Sequence, residues 1–197
     1  MNVIDLFAGC GGLALGFKNE GFKTVAFLEW EKSCIETLYE NFGSSRNKEA
    51  FIHADIREFD TFMNGDEYQL EKTINTSGGI DGVIGGPPCQ AYSMAGRVRD
   101  PEGMRNDYRN YLFEAYCKIL DQFKPRFFVF ENVVGMLSAK PNGVPVAEEI
   151  SNAFSSLMAL GPLIMNFSIL ILFPNLVNHS SLTICALSSD LSPTLIC

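Results

Sequence analysis

Short apolar segments alternate along most of the chain with longer segments whose apolar residues recur at helical spacing. The short segments predict five strands and the longer ones predict three helices. The predicted strands are Asn2–Phe7, Lys23–Leu28, Phe51–Ala54, Gly82–Gly85 and Arg126–Phe130. The predicted helices are Gly12–Asn19, Glu31–Asn41 and Tyr108–Phe123, and the polar, glycine-bearing stretch Asn64–Gly79 is a loop or a weak helix. This alternation indicates an α/β fold with a doubly wound, mostly parallel sheet and helices on both faces.

The last part of the chain has a different composition. After Glu149 the only charged residue is Asp190. The apolar run LIMNFSILILF, residues 163–173, is bounded by Pro162 and Pro174, and it is too short to span a bilayer. We therefore predict a partly buried strand followed by a weakly specified tail, and no membrane partner.

Composition narrows the class of protein. Of the 197 residues, 47% are hydrophobic and 19% are charged, which is typical of a globular protein. The six cysteines form no CxxC pair and the N-terminus lacks a signal peptide, so we expect reduced thiols and a cytoplasmic location, with nucleoid association if the source is bacterial. The two histidines lie far apart, so no metal site is predicted.

The net charge and the distribution of charge along the chain give different indications about a nucleic-acid partner. A net charge of −8 argues weakly against a nucleic-acid partner. Four of the seven arginines nevertheless lie close together, at Arg97, Arg99, Arg105 and Arg109. They form either a solvated surface cluster or a segment suited to a substrate that carries phosphates.

The first predicted strand runs directly into a glycine-rich loop, DLFAGCGGLALGF. Gly9, Gly11 and Gly12 permit a sharp turn there and a close approach of the backbone to a ligand. Glu29 follows twenty residues after Gly9, at the end of the second predicted strand, where a carboxylate can accept hydrogen bonds from ribose hydroxyls. Trp30 is placed to stack on an adenine ring. These residues predict an adenosine pocket, although a glycine loop alone is equally consistent with a structural turn.

Two aspartates bear on the choice of ligand. Asp55 follows the third predicted strand and can accept a hydrogen bond from an adenine amino group. The pattern Gly9-x-Gly11-x-x-Ala14 also fits a loose dinucleotide fingerprint, so NAD is one candidate. Asp5, at the end of the first predicted strand, would repel a pyrophosphate and attract the cationic amino-acid end of S-adenosylmethionine. We therefore predict S-adenosylmethionine as the cofactor.

A cysteine follows the fourth predicted strand at a rigid turn. The strand runs into Gly85-Gly86-Pro87-Pro88, which cannot continue it because proline supplies no N–H and fixes φ. Cys89 is therefore predicted just beyond the carboxyl end of a strand, where ligands bind in open α/β sheets. The alternative is a small buried thiol at a turn.

Six segments together resemble the C5-cytosine methyltransferase family, in that family's order and spacing: "DLFAGCGGLALGF", "FLEWEKSCIETLYENF", "ADI", "GGPPCQAYSMAGR", "DYRNYLFEAYCKIL" and "FVFENVVGML". The Pro-Cys-Gln and Glu-Asn-Val elements are the most specific of these. The resemblance covers about Asn2 to Leu157. It implies a Rossmann-like fold of the S-adenosylmethionine-dependent methyltransferase type, and it favours a functional Cys89 over a buried thiol.

The resemblance implies a covalent mechanism. Cytosine C5 is a poor nucleophile until a thiolate adds at C6 and converts the ring to an enamine, and the family uses the cysteine at the position of Cys89 for this step. Glu131 corresponds to the acid that neutralises the charge at N3, so we expect partial burial to raise the pKa of this carboxyl. The base must leave the duplex to reach such a site, which implies double-stranded DNA with a flipped cytosine as the substrate.

The resemblance also assigns roles to further residues. Asn132 is expected to orient Pro88 and the cysteine loop, and Leu112 to pack near the cofactor. Gln90, Ser93, Arg97 and Arg99 belong to a loop expected to close over the flipped base and contact DNA. The cofactor-binding set is Asp5, Phe7, Gly9, Cys10, Gly11, Gly12, Leu13, Glu29, Trp30, Asp55, Ile56, Pro88 and Leu112.

Later family elements are not apparent in the rest of the chain. The family carries an arginine-containing motif, a target-recognition domain and a closing segment of the cofactor pocket, yet no arginine lies between Leu160 and Cys197. We therefore expect residues 1–159 to form a partial catalytic domain, incomplete at its C-terminus, and residues 160–197 an atypical apolar tail. The expected function is DNA (cytosine-5)-methyltransferase, truncated and inactive alone unless a second chain supplies the recognition domain. The alternatives are a non-catalytic remnant that binds a cofactor or partner, and a tRNA cytosine-5 methyltransferase.

Overall fold

The computed structural model of the chain describes residues 1–58, 69–88, 112–133, 136–137, 139–140, 143–159, 165–172 and 181–188, the last two segments by their backbone alone. The chain divides into two compact units. The first comprises Met1–Gly86 with Phe123–Pro125, and the second comprises Pro87–Gln122 with Arg126–Cys197.

The first unit is built on parallel strands that alternate with helices. Its elements in chain order are β1 (Asn2–Leu6), α1 (Gly12–Asn19), β2 (Lys23–Glu29), α2 (Lys32–Phe42), β3 (Phe51–His53), α3 (Gln69–Thr76) and β4 (Gly82–Gly85), with short 3₁₀ turns at Lys48–Ala50 and Ile56–Glu58. The strands are ordered β3-β2-β1-β4, and every pair is parallel. After β1 and again after β2 the chain returns through a helix to the other end of the sheet. These two helices provide the crossover connections that parallel strands require.

The strand register brings the carboxyl ends of all four strands to one edge. Leu6 pairs with both Leu28 and Gly85, and Glu29 pairs with His53. The segments that leave these strands therefore begin side by side, as expected for the ligand-binding edge of an open α/β sheet.

Aromatic packing holds α2 against β2 and β3. The Phe27 and Phe51 rings stack with centroids 5.0 Å apart, and the Phe42 ring lies 5.2 Å from that of Phe27. Leu38 is fully buried in the same cluster. These contacts fix the start of α2 next to the carboxyl end of β2, because α2 buries its apolar face on the two strands.

The second unit contains antiparallel strands and two helices. Its elements are α4 (Leu112–Phe123), β5 (Phe127–Val133), α5 (Val146–Ala159), β6 (Met165–Leu172) and β7 (Ser181–Ser188). β7 lies between β5 and β6 and is antiparallel to both. Tyr116 of α4 is fully buried beside the rings of Phe130 and Phe154, and its hydroxyl donates a hydrogen bond to the Val129 carbonyl oxygen at 3.0 Å.

Most predicted elements are confirmed with small shifts of their ends. The five predicted strands correspond to β1–β5, and the predicted helices to α1, α2 and α4, with residues 108–111 of the last outside the described segments. Within the stretch predicted as a loop or weak helix, residues 69–76 form α3. In the apolar run β6 is present as predicted, whereas β7 lies in the stretch that was predicted to be a weakly specified tail. None of the helices in the described segments is long and apolar enough to cross a membrane.

Candidate active site

The loop after β1 turns through three left-handed residues. Phe7, Gly9 and Gly11 have φ angles of 57°, 53° and 91°. A Cβ on Gly11 would collide with the Phe42 ring and lie 2.9 Å from Leu38 Cδ2, so the loop can pass over α2 only with glycine at this position. Nothing lies within 4 Å of a Cβ built on Gly9 or Gly12. The backbone of the loop is therefore open to a ligand at these two positions.

Asp5 is a buried acid at the carboxyl end of β1. Only 1% of its surface is exposed, and its Oδ2 has no hydrogen-bond partner among the described residues. Burial raises the pKa of Asp5 to about 8; a hydrogen bond from the Ala14 N–H opposes this shift and the nearby Glu29 carboxylate adds to it. A buried carboxyl group with one oxygen left without a partner suits a cationic ligand, whose charge would compensate for its lost hydration.

Glu29 is held by backbone N–H groups from both sides. Its Oε2 accepts a hydrogen bond from Gly9 N at 2.8 Å, and its Oε1 accepts hydrogen bonds from Trp30 N and Glu31 N, each at 2.9 Å. The carboxylate therefore ties the glycine loop to the segment that leads into α2. A carboxylate has about four acceptor positions, so one remains on Oε2 for a ribose hydroxyl.

Trp30 and Asp55 lie beyond the ends of β2 and β3. Trp30 is 60% exposed, and its carbonyl oxygen accepts a hydrogen bond from His53 Nε2 at 2.9 Å. The Arg57 guanidinium forms a salt bridge with the Asp55 carboxylate, in which Arg57 Nε lies 3.0 Å and 2.9 Å from the two carboxylate oxygens. These hydrogen bonds lower the pKa of Asp55. An adenine amino group would share Asp55 with Arg57. Sequence reasoning missed Arg57, although its position two residues after the aspartate was a usable signal.

In the second unit, the end of β5 contacts the segment that precedes Cys89. Asn132 is 1% exposed, and its Nδ2 donates a hydrogen bond to the Pro87 carbonyl oxygen at 3.2 Å. Burial raises the pKa of the half-buried neighbour Glu131. Leu112 is buried at the start of α4.

The remaining predicted site residues divide into two groups. Phe7 and Leu13 are partly buried, Ile56 is buried, and Cys10 and Gly12 are exposed around the loop edge of the first unit. Cys89, Gln90, Ser93, Arg97 and Arg99 lie outside the described residues, so the predicted proximity of Cys89 to the glycine loop stays a prediction. Among the described segments, no three His, Cys, Asp or Glu residues are grouped as a metal site would require.

A cavity of about 1080 Å³ opens at the opposite end of β2. Its lining includes Lys23, Thr24, Arg46 and Lys72 but none of the predicted site residues. Because it lies at the amino-terminal end of β2, it is not part of the ligand-binding edge of the sheet.

Comparisons with a family profile, with curated relatives and with a solved structure agree on the class of protein. The profile of the C-5 cytosine-specific DNA methylase family matches residues 1–161. The type II methyltransferase M.Bpa9945I of Bacillus paralicheniformis is 34% identical over 204 residues, which cover 80% of this chain and 45% of the relative. M.NgoPII of Neisseria gonorrhoeae is 40% identical over 143 residues, covering 73% of this chain and 36% of the relative. A solved DNA modification methyltransferase encoded within an E. coli prophage is similar with a TM-score of 0.63 and 25% identity, over 98% of this chain and 49% of that one.

The fold is therefore the Rossmann-like fold found in S-adenosylmethionine-dependent methyltransferases, which confirms the predicted fold class. Because the family profile matches more than half of its residues, the chain belongs to the C-5 cytosine-specific DNA methylase family, which confirms the resemblance found in the sequence. The chain spans less than half the length of the two curated relatives described above.

Proposed function

We propose that this chain carries the cofactor-binding and nucleophile-bearing part of a DNA (cytosine-5)-methyltransferase. The observation that carries the proposal is the family match over residues 1–161, because it spans both Cys89 and Glu131. The substrate is cytosine in double-stranded DNA, flipped out of the helix so that C5 and C6 can be reached.

S-adenosylmethionine is the cofactor that the pocket residues fit. The orphaned Oδ2 of Asp5 offers a buried partner for the ammonium of the methionine end. The remaining acceptor position of Glu29 suits a ribose hydroxyl, and the exposed Trp30 ring offers a face for adenine. When bound, this cofactor supplies an electrophilic methyl group.

Cys89 is the nucleophile of the proposed reaction. Its thiolate adds to C6 of cytosine, the C5–C6 double bond supplies the electron pair that makes C5 nucleophilic, and N3 gains a proton. After C5 has been methylated, C5 gives up its own proton, the thiolate leaves from C6 and N3 returns the proton it gained, which restores the neutral aromatic ring. Cysteine suits both steps because it is a strong nucleophile and a competent leaving group.

Glu131 is the proposed proton donor to N3. Burial raises the pKa of its carboxyl group, so a larger fraction is protonated near neutral pH than for an exposed glutamate. Asn132 supports the same end of the site, since its hydrogen bond to the Pro87 carbonyl restrains the backbone two residues before Cys89.

The test is covalent trapping on modified DNA. The purified chain, alone or together with a second polypeptide that supplies the recognition domain, is mixed with S-adenosylmethionine and a duplex in which every cytosine is 5-fluorocytosine. Adducts are then separated on a denaturing gel. Fluorine cannot leave C5 as a proton would, so the reaction should stop with the protein attached. We expect no adduct from the chain alone and one adduct from the complemented chain, absent in Cys89→Ser and retained in the matched variant Cys117→Ser.

The same assay separates the alternatives. An adduct that persists in Cys89→Ser would contradict the assigned nucleophile. An adduct formed only with fluorocytosine-containing RNA would identify the RNA-methylating branch. A folded chain that binds S-adenosylhomocysteine but gives no adduct with either polymer, even when complemented by the second polypeptide, would be a non-catalytic binding remnant, contrary to the proposal.

A further inference from the structure

Two thiols face each other beside the candidate cofactor pocket. Cys10, in the glycine loop, and Cys34, in the first turn of α2, lie 24 residues apart in the sequence, and their Sγ atoms are 4.0 Å apart. Both are free, Cys10 is exposed and Cys34 is partly buried. We infer that Cys10 and Cys34 form a redox-sensitive dithiol that closes to a disulfide and so disables cofactor binding.

The local backbone allows the thiols to join. A disulfide needs the sulfurs to approach to about 2.05 Å, so they must move together by roughly 2 Å. Cys10 lies between Gly9 and Gly11, which adopt φ angles of 53° and 91° without strain because glycine has no Cβ. The side chain of Cys10 is exposed and is therefore free to change rotamer. The movement therefore falls on the loop, because the aromatic packing of Phe42 against Phe27 holds α2 in place.

Closure would disturb the contacts that shape the pocket. Gly9, next to Cys10, donates to Glu29 Oε2 at 2.8 Å, and Cys34 N donates to the carbonyl oxygen of Glu31, whose own N–H binds Glu29 Oε1. A bond between the two sulfurs would thus pull on both sides of the Glu29 carboxylate. The effect on cofactor binding rests on the proposed function, whereas the disulfide itself does not.

The oxidation is balanced with hydrogen peroxide as the two-electron oxidant. The exposed Cys10 thiolate attacks one peroxide oxygen, forms a sulfenic acid and releases hydroxide. The Cys34 thiolate then attacks the sulfur of that sulfenic acid, forms the S–S bond and displaces the second hydroxide. Two thiols and one peroxide give one disulfide and two waters. A dithiol reductant reverses the reaction by thiol–disulfide exchange.

The two thiols differ in a way that suits this order of events. Burial raises the pKa of the Cys34 thiol, and the neighbouring Cys10 thiol and the Glu29 and Glu31 carboxylates raise it further. Cys34 is therefore a poor first target for peroxide, while Cys10 is the thiol that solvent reaches.

The experiment combines peptide mapping with calorimetry on the whole chain. Reduced and peroxide-treated samples are digested without reductant and analysed by mass spectrometry, and both are titrated with S-adenosylhomocysteine. We expect a cross-linked peptide pair containing Cys10 and Cys34 and an affinity lowered by roughly tenfold or more, the loss expected from one charge-assisted hydrogen bond. Dithiothreitol should restore binding. Cys34→Ser should keep its affinity after peroxide, and Cys117→Ser should respond like the wild type.

Two results would overturn the inference. One is an oxidised wild-type chain without the cross-linked peptide. The other is a Cys34→Ser chain that loses the same affinity as the wild type. If the reduced chain does not bind the ligand at all, the proposed function fails, and the peptide map still decides whether the dithiol forms.

Discussion

Two carboxylates at the ends of neighbouring strands are held in opposite ways. Glu29 accepts three backbone hydrogen bonds, while Asp5 keeps one oxygen without a partner in the described part of the chain. Burial of Asp5 favours its protonated form. Glu29 therefore acts as a structural anchor of the loop, and Asp5 as a group whose charge depends on what binds beside it.

Asp5 should make the fold less stable as pH rises. Its pKa is about 8 in the folded chain and near 3.8 when unfolded, so between these values the folded state holds a proton that the unfolded state has lost. The free energy of unfolding should therefore fall by up to about 1.4 kcal/mol per pH unit, on the order of 4 kcal/mol from pH 5 to pH 8. Asp5→Asn should abolish this component, as measured by urea unfolding at both pH values.

The matched control for that experiment is Asp121→Asn. Asp121 is exposed on α4, so this variant should keep the pH dependence of the wild type. Equal pH dependence of Asp5→Asn and the wild type would mean that the Asp5 carboxyl is already ionised, or hydrated, in the folded chain.

Glu29→Gln should weaken cofactor binding through the loop. The amide replaces one acceptor oxygen by an NH₂ group that would face N–H donors, so the contacts from Gly9 or from Trp30 and Glu31 are lost. Hydrogen bonds to charged groups contribute about 1.5–3 kcal/mol, so affinity for S-adenosylhomocysteine should fall roughly 10- to 100-fold in calorimetry. Glu36→Gln, whose side chain on α2 is 68% exposed, should bind like the wild type. Equal losses of affinity in Glu29→Gln and Glu36→Gln would contradict the assignment of Glu29 to the cofactor pocket.

Glu131→Gln should slow adduct formation without blocking DNA binding. Glutamine keeps the shape and hydrogen-bonding capacity of glutamate but cannot supply a proton, and general acid catalysis contributes about 10²–10⁴-fold. Because burial raises the pKa of Glu131, the wild-type trapping rate should fall as pH rises through that pKa. The variant should lack this alkaline limb. A variant that traps 5-fluorocytosine at the wild-type rate would exclude Glu131 as the acid.

At the scale of elements, the contact between β1 and β4 depends on a single missing side chain. A Cβ on Gly85 would collide with the Leu6 carbonyl oxygen and lie 3.1 Å from Leu6 Cβ. This close approach lets the two strands end in register, with Leu6 opposite Gly85.

Gly85→Ala should therefore destabilise the first unit, by about 1–3 kcal/mol if the strands separate slightly to admit the methyl group. Gly16→Ala is the matched variant, because nothing lies within 4 Å of a Cβ on Gly16 and it lies inside α1. It should stabilise the chain by about 0.5–1 kcal/mol. Chemical denaturation of both proteins checks the pair, and similar midpoints would contradict the packing argument.

The sequence identified elements better than it identified the partners of charged groups. β2 to β5 could be predicted because each is a short apolar run that ends at a glycine or a charged residue, and β1 because its run leads into the glycine loop. The hydrogen bonds of Glu29 and the salt bridge between Asp55 and Arg57 depend on how the loops turn. The spacing of apolar residues along the sequence does not encode these turns. The sequence therefore predicted the position of both carboxylates at the sheet edge. It predicted a ligand as the partner of each and missed the protein groups that they bind.

At the scale of the whole molecule, a strand that follows the boundary predicted at residue 159 pairs with one that precedes it, and the boundary itself stays a prediction. β5 pairs with β7 along its full length, from Phe127 opposite Leu187 to Val133 opposite Ser181. A composition shift near Leu160 indicated a separate tail, because charge content is visible in a sequence and strand pairing over fifty residues is not. The backbone places this segment against β5, whatever its origin.

A chain ending at Ala159 should therefore associate more than the full chain. Removing β7 leaves the N–H and C=O groups along one edge of β5 without partners, and open apolar edges promote aggregation. Size-exclusion chromatography should show a larger oligomeric fraction and a lower monomer yield. A shortened chain that stays monomeric with unchanged stability would show that residues 160–197 are dispensable.

The single acceptor position left on Glu29 has a consequence for ligand selectivity. With three of its positions occupied by Gly9, Trp30 and Glu31, the carboxylate can satisfy one sugar hydroxyl and not two. A cofactor analogue lacking either the 2′- or the 3′-hydroxyl should then compete almost as well as the parent nucleoside, and only the dideoxy analogue should lose the contact. For inhibitor design, one position of the sugar is open to modification at little cost in affinity.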